Sequence, residues 1–298
     1  MNSTTEFNIW MAQIQQQAEQ TLDVLLPAET IAPAPLHTAM RYATLGGGKR
    51  VRALLTYAAG GITGAEGAAM GRAAAAVEMI HAYSLIHDDL PCMDDDALRR
   101  GKPSTHIQFG ESCALLAGDA LQSLAFQTLA DMETLPDTAR QMKMISLLAL
   151  ASGSRGMAGG QALDLAATGL FVSCETLEFM HIHKTGALIR AAVLLGAYCG
   201  HCSDMIISAL DTYACKIGLL FQVMDDILDA EADTATLGKT AGKDAAQHKS
   251  TYVSLLGLNE ARRLAGELLA QAQQALAPLG EKSLRLAQLA DFIVQRRF

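Results

Sequence analysis

Residues 79–106, MIHAYSLIHDDLPCMDDDALRRGKPSTH, join the apolar end of a long helix to a dense group of charges. Apolar residues before Asp88 recur at three- and four-residue spacing, which is the period of a helix with a buried face. Pro91 then disrupts the helical hydrogen bonding. The same spacing continues along most of the chain, and no stretch alternates with period two for long. The pattern predicts an all-α fold.

The composition agrees with a single helical domain that has a large core. Half of the 298 residues are hydrophobic and only 18% are charged. No segment is long or polar enough to be an interdomain linker, so we expect one domain over residues 1–298. Glycine- and proline-rich stretches, among them residues 152–160 and 234–244, are predicted to separate the helices. Helices are predicted over residues 4–25, 36–44, 49–60, 65–90, 112–133, 137–151, 174–199, 204–230, 252–276 and 281–297.

The charge pattern argues against several classes of protein. The formal net charge is −8 and no basic stripe is interleaved with aromatic residues, so we expect no nucleic-acid partner. Charges break every apolar run short of the ~18 residues that span a membrane, so no membrane span is expected. The N-terminus has no Lys or Arg before Arg41 and does not resemble a signal peptide. A cytoplasmic protein is therefore expected.

The six cysteines are predicted to be reduced thiols, because no export signal precedes them. Cys199 and Cys202 have the CxxC spacing of a thiol–disulfide oxidoreductase, which is one alternative function. That mechanism needs a reactive thiol at the start of a helix that follows a strand. Here the pair follows the apolar sequence ALIRAAVLLGAY, so a turn between two helices is the favoured interpretation.

The first acidic group follows the helix that ends near Pro91. His81 and Asp88 are seven residues apart, which places them two turns apart on one helix face. Asp89 is adjacent to Asp88. Since Pro91 interrupts the helix, Asp94 is released from the helical phase and can turn back toward Asp88. The sequence alone leaves open whether it does so.

A second acidic group lies in FQVMDDILD, residues 221–229. Its polar residues follow helical spacing on an otherwise apolar helix and are Gln222, Asp225, Asp226 and Asp229. Adjacent carboxylates repel one another, and burying them is costly unless a cation compensates. Mg²⁺ suits sites with a few carboxylates that leave room for phosphate oxygens. The alternative is a solvated acidic face, which two such groups within apolar helices make less plausible.

Basic residues lie close to both acidic groups. The sequence GGGKRVR, residues 46–52, places a glycine turn before Lys49, Arg50 and Arg52 at a helix start, where an anion is favoured. An ordinary solvated turn is the alternative for this motif. Lysine and arginine bind phosphate oxygens well. Further cations near the acidic groups or within apolar helix are Arg99, Arg100, Lys184, Lys239, Lys243 and Lys249.

The chain resembles the trans-isoprenyl diphosphate synthases, in particular the bacterial-type farnesyl diphosphate synthases. The resemblance covers nearly the whole chain and rests on motifs in the family's order: GGGKRVR, MIHAYSLIHDDLPCMDDDALRRGKPSTH, GDAL, GGQALDL, HKTGALI, FQVMDDILD and GKTAGKDAAQHKSTY. It implies a single-domain isoprenoid synthase helical bundle around a deep central cavity, and usually a homodimer.

The resemblance also implies roles for individual residues. Three Mg²⁺ ions would be held by Asp88, Asp94 and Asp225, with support from Asp89, Asp226 and Asp229. The diphosphate of an allylic substrate, dimethylallyl or geranyl diphosphate, would contact Arg99, Lys184 and Lys239. The diphosphate of isopentenyl diphosphate would contact Gly48, Lys49, Arg52, His81 and Arg100. Thr185 and Gln222 would stabilise an allylic carbocation, and the released diphosphate would take the final proton.

Product length is expected to depend on the cavity below the first acidic group. A helical turn rises ~5.4 Å, about one isoprene unit, so a bulky residue one turn before Asp88 would limit the chain. Tyr83 and Ser84 are the candidates, and helical phase favours Ser84. In the family, a bulky residue at the Tyr83 position accompanies the fifteen-carbon product. Farnesyl diphosphate is therefore expected, with geranylgeranyl or geranyl diphosphate as alternatives.

Two further alternatives share the helical fold class. A terpene cyclase usually carries Asn, Ser or Thr, and Glu in its second metal motif, whereas this chain has DDILD. A non-catalytic helical partner subunit should have lost metal-binding aspartates, and both acidic groups are complete here. Met224, where a polar residue is often found, and the final QRRF depart from the family pattern and leave only fine specificity open.

Overall fold

A computed structural model of the protein describes residues 3–132, 137–231 and 249–296. Lys239 and Lys243, two of the predicted phosphate-binding candidates, lie outside these ranges. The helices are α1 (Ser3–Leu25), α2 (Ala34–Thr44), α3 (Val51–Thr63), α4 (Gly67–Asp88), α5 (Thr105–Phe109), α6 (Glu111–Ala130), α7 (Thr138–Ser152), α8 (Met157–Ala167), α9 (Cys174–His181), α10 (Ala187–Tyr198), α11 (Asp204–Glu231), α12 (Tyr252–Leu256), α13 (Leu258–Leu276) and α14 (Leu284–Gln295). Ile182–Gly186 is a π-helix and Ala277–Ser283 a 3₁₀ helix.

The all-α prediction is confirmed. In the described ranges the strands are β1 (Leu98–Arg99) and β2 (Lys102–Pro103), which form one short antiparallel hairpin. The core surrounds α10, in which ten of 12 residues are buried. A helix that is apolar on nearly every side must be covered all round, and α10 packs against α3, α4, α7 and α11. Further pairs, α4 with α6 and α11 with α13, extend the same hydrophobic core.

Several predicted helix boundaries were wrong. The predicted helix 174–199 is divided by the π-helix, and the predicted helix 252–276 is broken at Gly257, whose φ of 83° ends α12. Residues 152–160 were predicted as a connection, yet α8 begins within them at Met157. Glycine has a low helix propensity, so the glycines of this stretch masked the start of α8 in the sequence. Tertiary contact explains one of these glycines, because a methyl group on Gly160 would lie 2.1 Å from the backbone nitrogen of Lys184.

One helix bears on the expectation that the chain has no membrane span. Among the described residues, α11 is long and apolar enough to cross a membrane, with a mean hydropathy of 1.3 in its most apolar window. Half of that window is buried inside the protein. The two charged residues in that window do not rule out a membrane span, but a helix buried in the core of a protein passes the same test of length and composition. In this fold α11 packs against α10 and α13.

Candidate active site

The first acidic group sits where α4 ends and the chain reverses. The backbone nitrogen of Asp94 donates a hydrogen bond to the carbonyl of Asp88 at 2.9 Å. Leu90 accepts two further bonds, from the backbone nitrogens of Met93 at 2.8 Å and Asp95 at 3.2 Å. The turn after Pro91 therefore returns Asp94 to Asp88, the arrangement that the sequence permitted without showing.

Asp89 and Arg99 bind each other. The short hairpin carries Arg99 back to the helix end, where its Nε lies 3.0 and 3.2 Å from the two oxygens of Asp89. The side chain of Asp89 is only 2% exposed. Arg99 also approaches Asp96 at 3.4 Å. Asp89 and Arg99 therefore form an ion pair in this structure. Asp89 is predicted to support the metal ions and Arg99 to bind the allylic diphosphate. To take these roles, the two side chains must either separate or bind the metal and the diphosphate together.

Asp88 is the carboxylate of this group with the strongest electrostatic perturbation. Its pKa is raised to about 6, chiefly by burial; the cation of Lys184 opposes the shift and the nearby Asp94 adds to it. No hydrogen-bond donor to this carboxylate is found within the described ranges. A desolvated carboxylate beside a second one suits a divalent cation, because a metal ion would compensate both charges.

The second acidic group is held more tightly. Asp226 is 4% exposed and accepts hydrogen bonds from the backbone nitrogen of Tyr252 at 2.7 Å and from Nε2 of Gln222 at 3.2 Å. Asp225 is half-exposed and pairs with Arg296 at 2.8 Å. Arg296 also donates to the Phe221 carbonyl at 2.8 Å. Asp229 is half-buried on the same helix.

The six predicted metal-binding aspartates remain in two separate groups. Over the described parts of the chain, no three His, Cys, Asp or Glu residues are arranged to hold a metal ion. Basic side chains occupy several of the carboxylates instead, and Lys249 approaches Asp94 at 3.3 Å. Mutual repulsion of neighbouring carboxylates favours such ion pairs. The donor set still fits Mg²⁺, since Asp88 and Asp94 are adjacent and Asp88 is desolvated.

The π-helix presents Lys184 and Thr185. The Oγ1 of Thr185 donates a hydrogen bond to Oε1 of Gln222 at 3.0 Å, so the two predicted carbocation-stabilising residues are in contact. Extra-wide helical turns of this kind occur frequently at functional sites. Backbone contacts fix this turn on two sides. A methyl group on Gly160 of α8 would meet the nitrogen of Lys184, and one on Gly218 of α11 would lie 2.7 Å from the Cα of Gly186.

Asp164 on α8 is a charged residue of the site that the sequence analysis missed. Its Oδ2 lies 2.5 Å from Nζ of Lys184 and 3.8 Å from Nζ of Lys249. These two lysines lower the pKa of Asp164, although its burial acts in the opposite direction. Asp164 therefore stays ionised and holds two cations next to the first acidic group. The signal was present in GGQALDL, but that motif was placed partly in a predicted connection.

The basic residues of the glycine turn face two directions. Arg50 is buried in a left-handed conformation, φ 51°, and binds Glu78 at 3.1 Å and Glu19 at 2.6 Å. Glu78 also accepts a hydrogen bond from the backbone nitrogen of Ala53 at 3.0 Å. Arg50 is consequently part of the structural framework, whereas Lys49 lines the larger and Arg52 the smaller of two cavities. Nothing in the motif GGGKRVR alone distinguishes the roles of these three cations.

Two adjoining cavities flank α4, and Leu85 borders both. The larger, about 590 Å³, is lined by basic residues that include Lys49, Arg99, Arg100 and Lys102, together with Gly46–Gly48. The smaller, about 320 Å³, is lined by Arg52, His81, Tyr83, Ser84, Asp88, Lys184 and Thr185, among others. The five residues predicted to bind one diphosphate are therefore divided between the cavities, with Arg52 and His81 in the smaller one.

The helix α4 places three further predicted residues in the smaller cavity. Burial and the neighbouring Arg52 and Arg100 lower the pKa of His81 well below its usual value, so its ring is neutral and can donate one N–H. Tyr83 is 8% exposed and its ring packs edge-on against His87. Ser84 donates to the His81 carbonyl at 2.8 Å. Both product-length candidates line the cavity, including Tyr83, which helical phase had disfavoured.

The cysteine pair lacks the properties of a redox site. Cys199 is buried at the end of α10, and burial raises the pKa of its thiol to about 12. Burial also raises the pKa of Cys202. A reactive thiol requires a shift in the opposite direction. The interpretation of CGHC as a turn between two helices agrees with its position between α10 and α11.

Comparisons with known proteins place the chain in a family. Residues 33–282 match the sequence profile of the polyprenyl synthetases. The chain is 53% identical to the farnesyl diphosphate synthase of Escherichia coli K12, over 94% of this chain and 96% of that one. It is 46% identical to geranylgeranyl pyrophosphate synthase 11 of Arabidopsis thaliana, covering 99% and 84%.

A solved structure gives the same result. The fold matches a geranyltransferase from Helicobacter pylori, complexed with magnesium and isoprenyl diphosphate, with a TM-score of 0.80 at 33% identity. The match covers 95% of this chain and 96% of that one. Together with the profile match over most of the chain, these likenesses show that the protein belongs to the polyprenyl synthetase family.

Proposed function

We propose that the protein is a prenyltransferase that condenses isopentenyl diphosphate with dimethylallyl or geranyl diphosphate to give farnesyl diphosphate. The observation that carries the proposal is the smaller cavity, where Asp88, Lys184 and Thr185 adjoin the buried Tyr83. Charged groups suited to a metal-bound diphosphate thus meet space suited to a hydrocarbon chain. The 53% identity to the farnesyl diphosphate synthase of E. coli supports the same activity.

Magnesium is the proposed cofactor, with three ions per site held by Asp88, Asp94 and Asp225 and supported by Asp89, Asp226 and Asp229. Bound Mg²⁺ would neutralise charge on the departing diphosphate. The solved complex of the H. pylori geranyltransferase with magnesium supports this choice. The ion pairs of Asp94 with Lys249 and of Asp225 with Arg296 would open, releasing both cations for phosphate oxygens.

Basic side chains would hold the two diphosphates. Arg99, Lys184 and Lys239 would bind the allylic diphosphate, and the ion pair with Asp164 holds the Lys184 side chain in place. Gly48, Lys49, Arg52, His81 and Arg100 would bind isopentenyl diphosphate. Their division between adjoining cavities would hold it along α4, so that its double bond faces the allylic carbon. Such positioning accelerates a reaction between two bound molecules.

The reaction breaks the allylic carbon–oxygen bond, and its electron pair leaves with the diphosphate. The oxygen dipoles of Thr185 and Gln222, fixed by their mutual hydrogen bond, would stabilise the allylic cation. The double bond of isopentenyl diphosphate then forms the new carbon–carbon bond, and the released diphosphate accepts the proton. Apolar cavity residues exclude water that would otherwise quench the cation.

Product length would be limited by Tyr83, with Ser84 beside it. The buried ring of Tyr83 packs on His87 and borders the cavity, and Tyr83 precedes Asp88 by five residues on α4. Geranylgeranyl diphosphate is the second candidate product, since a geranylgeranyl pyrophosphate synthase is also 46% identical. The bulk of Tyr83 favours the shorter product.

Product analysis is the experiment that tests the function. The protein would be incubated with Mg²⁺, labelled isopentenyl diphosphate and either allylic starter, and the alcohols separated after phosphatase treatment. We expect mainly farnesol, lost when the metal is chelated. Geranylgeraniol would keep the reaction class and refute the assigned product. No condensation product at all would favour a non-catalytic partner subunit.

We further propose a homodimeric, cytoplasmic protein that forms one domain over residues 1–298, with neither a membrane span nor a nucleic-acid partner. Exposed apolar side chains on the adjacent helices α6 and α7 support a self-association surface: Leu115, Leu116, Met142 and Leu150. Light scattering after size-exclusion chromatography should give twice the chain mass. Leu116→Lys combined with Met142→Glu should reduce it to the monomer, and an unchanged mass would exclude this surface.

A further inference from the structure

One buried amide in the smaller cavity has no role in the mechanism described so far. Gln161 lies on α8, is 8% exposed and lines the cavity that contains Asp88 and Lys184. Both its Oε1 and its Nε2 are inaccessible to solvent, and neither has a hydrogen-bond partner within the described residues. A buried amide left unpaired destabilises the fold, and a ligand that pairs with it would account for its presence.

The position of Gln161 follows from the packing of α8. The helix presents one face to the cavity through Met157, Ala158, Gln161, Ala162 and Leu165. These positions have the spacing of a single helical stripe. Apart from Gln161, the stripe is apolar. The amide is therefore a single polar group on a wall that is otherwise suited to hydrocarbon.

Close backbone contact sets the location of this amide relative to the diphosphate-binding lysine. Gly160, the preceding residue, packs directly on the backbone of Lys184. Asp164, three residues later, binds the Nζ of the same lysine at 2.5 Å. Gln161 thus lies between two residues that contact Lys184. An anion bound by this lysine would share the cavity that Gln161 lines.

We propose that Gln161 is a further catalytic residue, whose amide turns toward the cavity when the allylic diphosphate binds and donates a hydrogen bond from its Nε2–H group to a diphosphate oxygen. This inference rests on the proposed function. As the carbon–oxygen bond breaks, its electron pair adds negative charge to the diphosphate, and the bond from Gln161 strengthens. The amide also stays neutral, so it does not add to the repulsion among the surrounding cations.

The test is Gln161→Met, which keeps the length of the side chain and removes its polar atoms. Because an unpaired buried amide is replaced by an apolar group, the melting temperature of the metal-free protein should stay the same or rise. The kcat should fall about 100-fold, the usual effect of losing one donor to a developing oxyanion. Binding of inorganic pyrophosphate with Mg²⁺, measured by calorimetry, should weaken.

Two variants complete the experiment. Gln161→Glu keeps an oxygen and loses the donor while adding a negative charge, so its kcat should fall at least as far. Gln16→Met replaces an exposed glutamine on α1 and should change neither activity nor melting temperature.

Three outcomes would overturn the inference. They are an unchanged kcat with unchanged pyrophosphate affinity in Gln161→Met, wild-type activity in Gln161→Glu, or a lower melting temperature with activity lost only in proportion to unfolding. Failure of the proposed function would appear differently, as absence of condensation by the wild-type protein. In that case the pyrophosphate titration of wild type against Gln161→Met still decides whether Gln161 binds the anion.

Discussion

The two acidic groups carry the same residue type in two different environments. Asp226 lies within a regular helix, and the backbone of Tyr252 and the amide of Gln222 satisfy its carboxylate. Asp88 ends α4, faces a cavity and has its pKa raised to about 6 by burial. One carboxylate thus stabilises the fold, whereas the other is kept at an energetic disadvantage. The difference separates a group that organises the site from one that is poised to bind a cation.

The largest expected effect is on activity at Asp88. Asp88→Asn removes a charge that would bind metal, so kcat/KM should fall about a thousandfold or more, equivalent to several kcal/mol. The melting temperature should be unchanged or higher, because the buried carboxylate is not compensated. Condensation assays with labelled isopentenyl diphosphate would measure the loss. Asp119→Asn, at an exposed acid on α6, is the control, and a loss of less than tenfold would contradict the role of Asp88.

The second effect is on stability at Asp226. Asp226→Ala leaves the buried N–H of Tyr252 and the amide of Gln222 without their acceptor, which should lower the free energy of unfolding by about 2–3 kcal/mol. Urea denaturation of the metal-free protein would measure it. Asp119→Ala should cost less than about 0.5 kcal/mol. Equal urea midpoints for Asp226→Ala and wild type would contradict the claim that Asp226 stabilises the fold.

The third effect is a pH dependence caused by Asp88. Its folded pKa of about 6 exceeds the unfolded value, so the folded state binds the extra proton between about pH 4 and 6. This contribution to stability is present at low pH and is lost as the pH rises through 6. In the metal-free protein it should amount to about 1–2 kcal/mol after allowance for solvent screening.

The measurement compares wild type with Asp88→Asn at pH 4.5 and 6.5. His181 acts in the opposite direction, because burial lowers its pKa to about 4 and stability falls as the pH drops below the unfolded value. That contribution is common to both proteins and cancels in the difference. A pH-independent difference between the two proteins would show that Asp88 is not perturbed.

The smallest expected effect in energy is on product length at Tyr83. Tyr83→Ala opens space beside His87, and the ratio of twenty- to fifteen-carbon product should rise at least ~10-fold, about the smallest discrimination that one methylene group provides. Chromatography of the dephosphorylated products would measure the ratio. Ser84→Ala removes only the hydrogen bond to the His81 carbonyl and should change it little. A larger shift in Ser84→Ala would assign the limiting role to that residue instead.

Helical periodicity predicted the second acidic group because α11 is regular over its whole length. Periodicity could not place Asp94, since its position depends on a turn after Pro91. It also could not foresee that Arg99 pairs with Asp89, because a two-residue hairpin sets that contact. The local sequence determines which residues share one face of a helix. These contacts form only because the chain reverses direction, which helical periodicity does not report.

The residues that were missed share a dependence on tertiary packing. Asp164 and Gln161 lie on α8, whose glycines have poor helix propensity. One of them, Gly160, is required by the close backbone approach of the π-helix. Arg50 and Arg52 are two residues apart, and ion pairs with Glu78 and Glu19 hold Arg50 in the interior. The all-α fold was accessible from local pattern, but the distribution of charges was not.

The π-helix between Gly160 and Gly218 limits which substitutions directed evolution of this protein can use. Side-chain walls can adapt when a neighbour is mutated, but the backbone of Lys184 and Gly186 is touched from both sides at distances that leave no room for a methyl group. In a saturation library selected for activity, these two glycines should accept almost no replacement, while positions along the apolar cavity should remain permissive. Variants that accept new substrates would then arise by substitutions in the cavity wall, while the backbone that carries Lys184 and Thr185 stays the same.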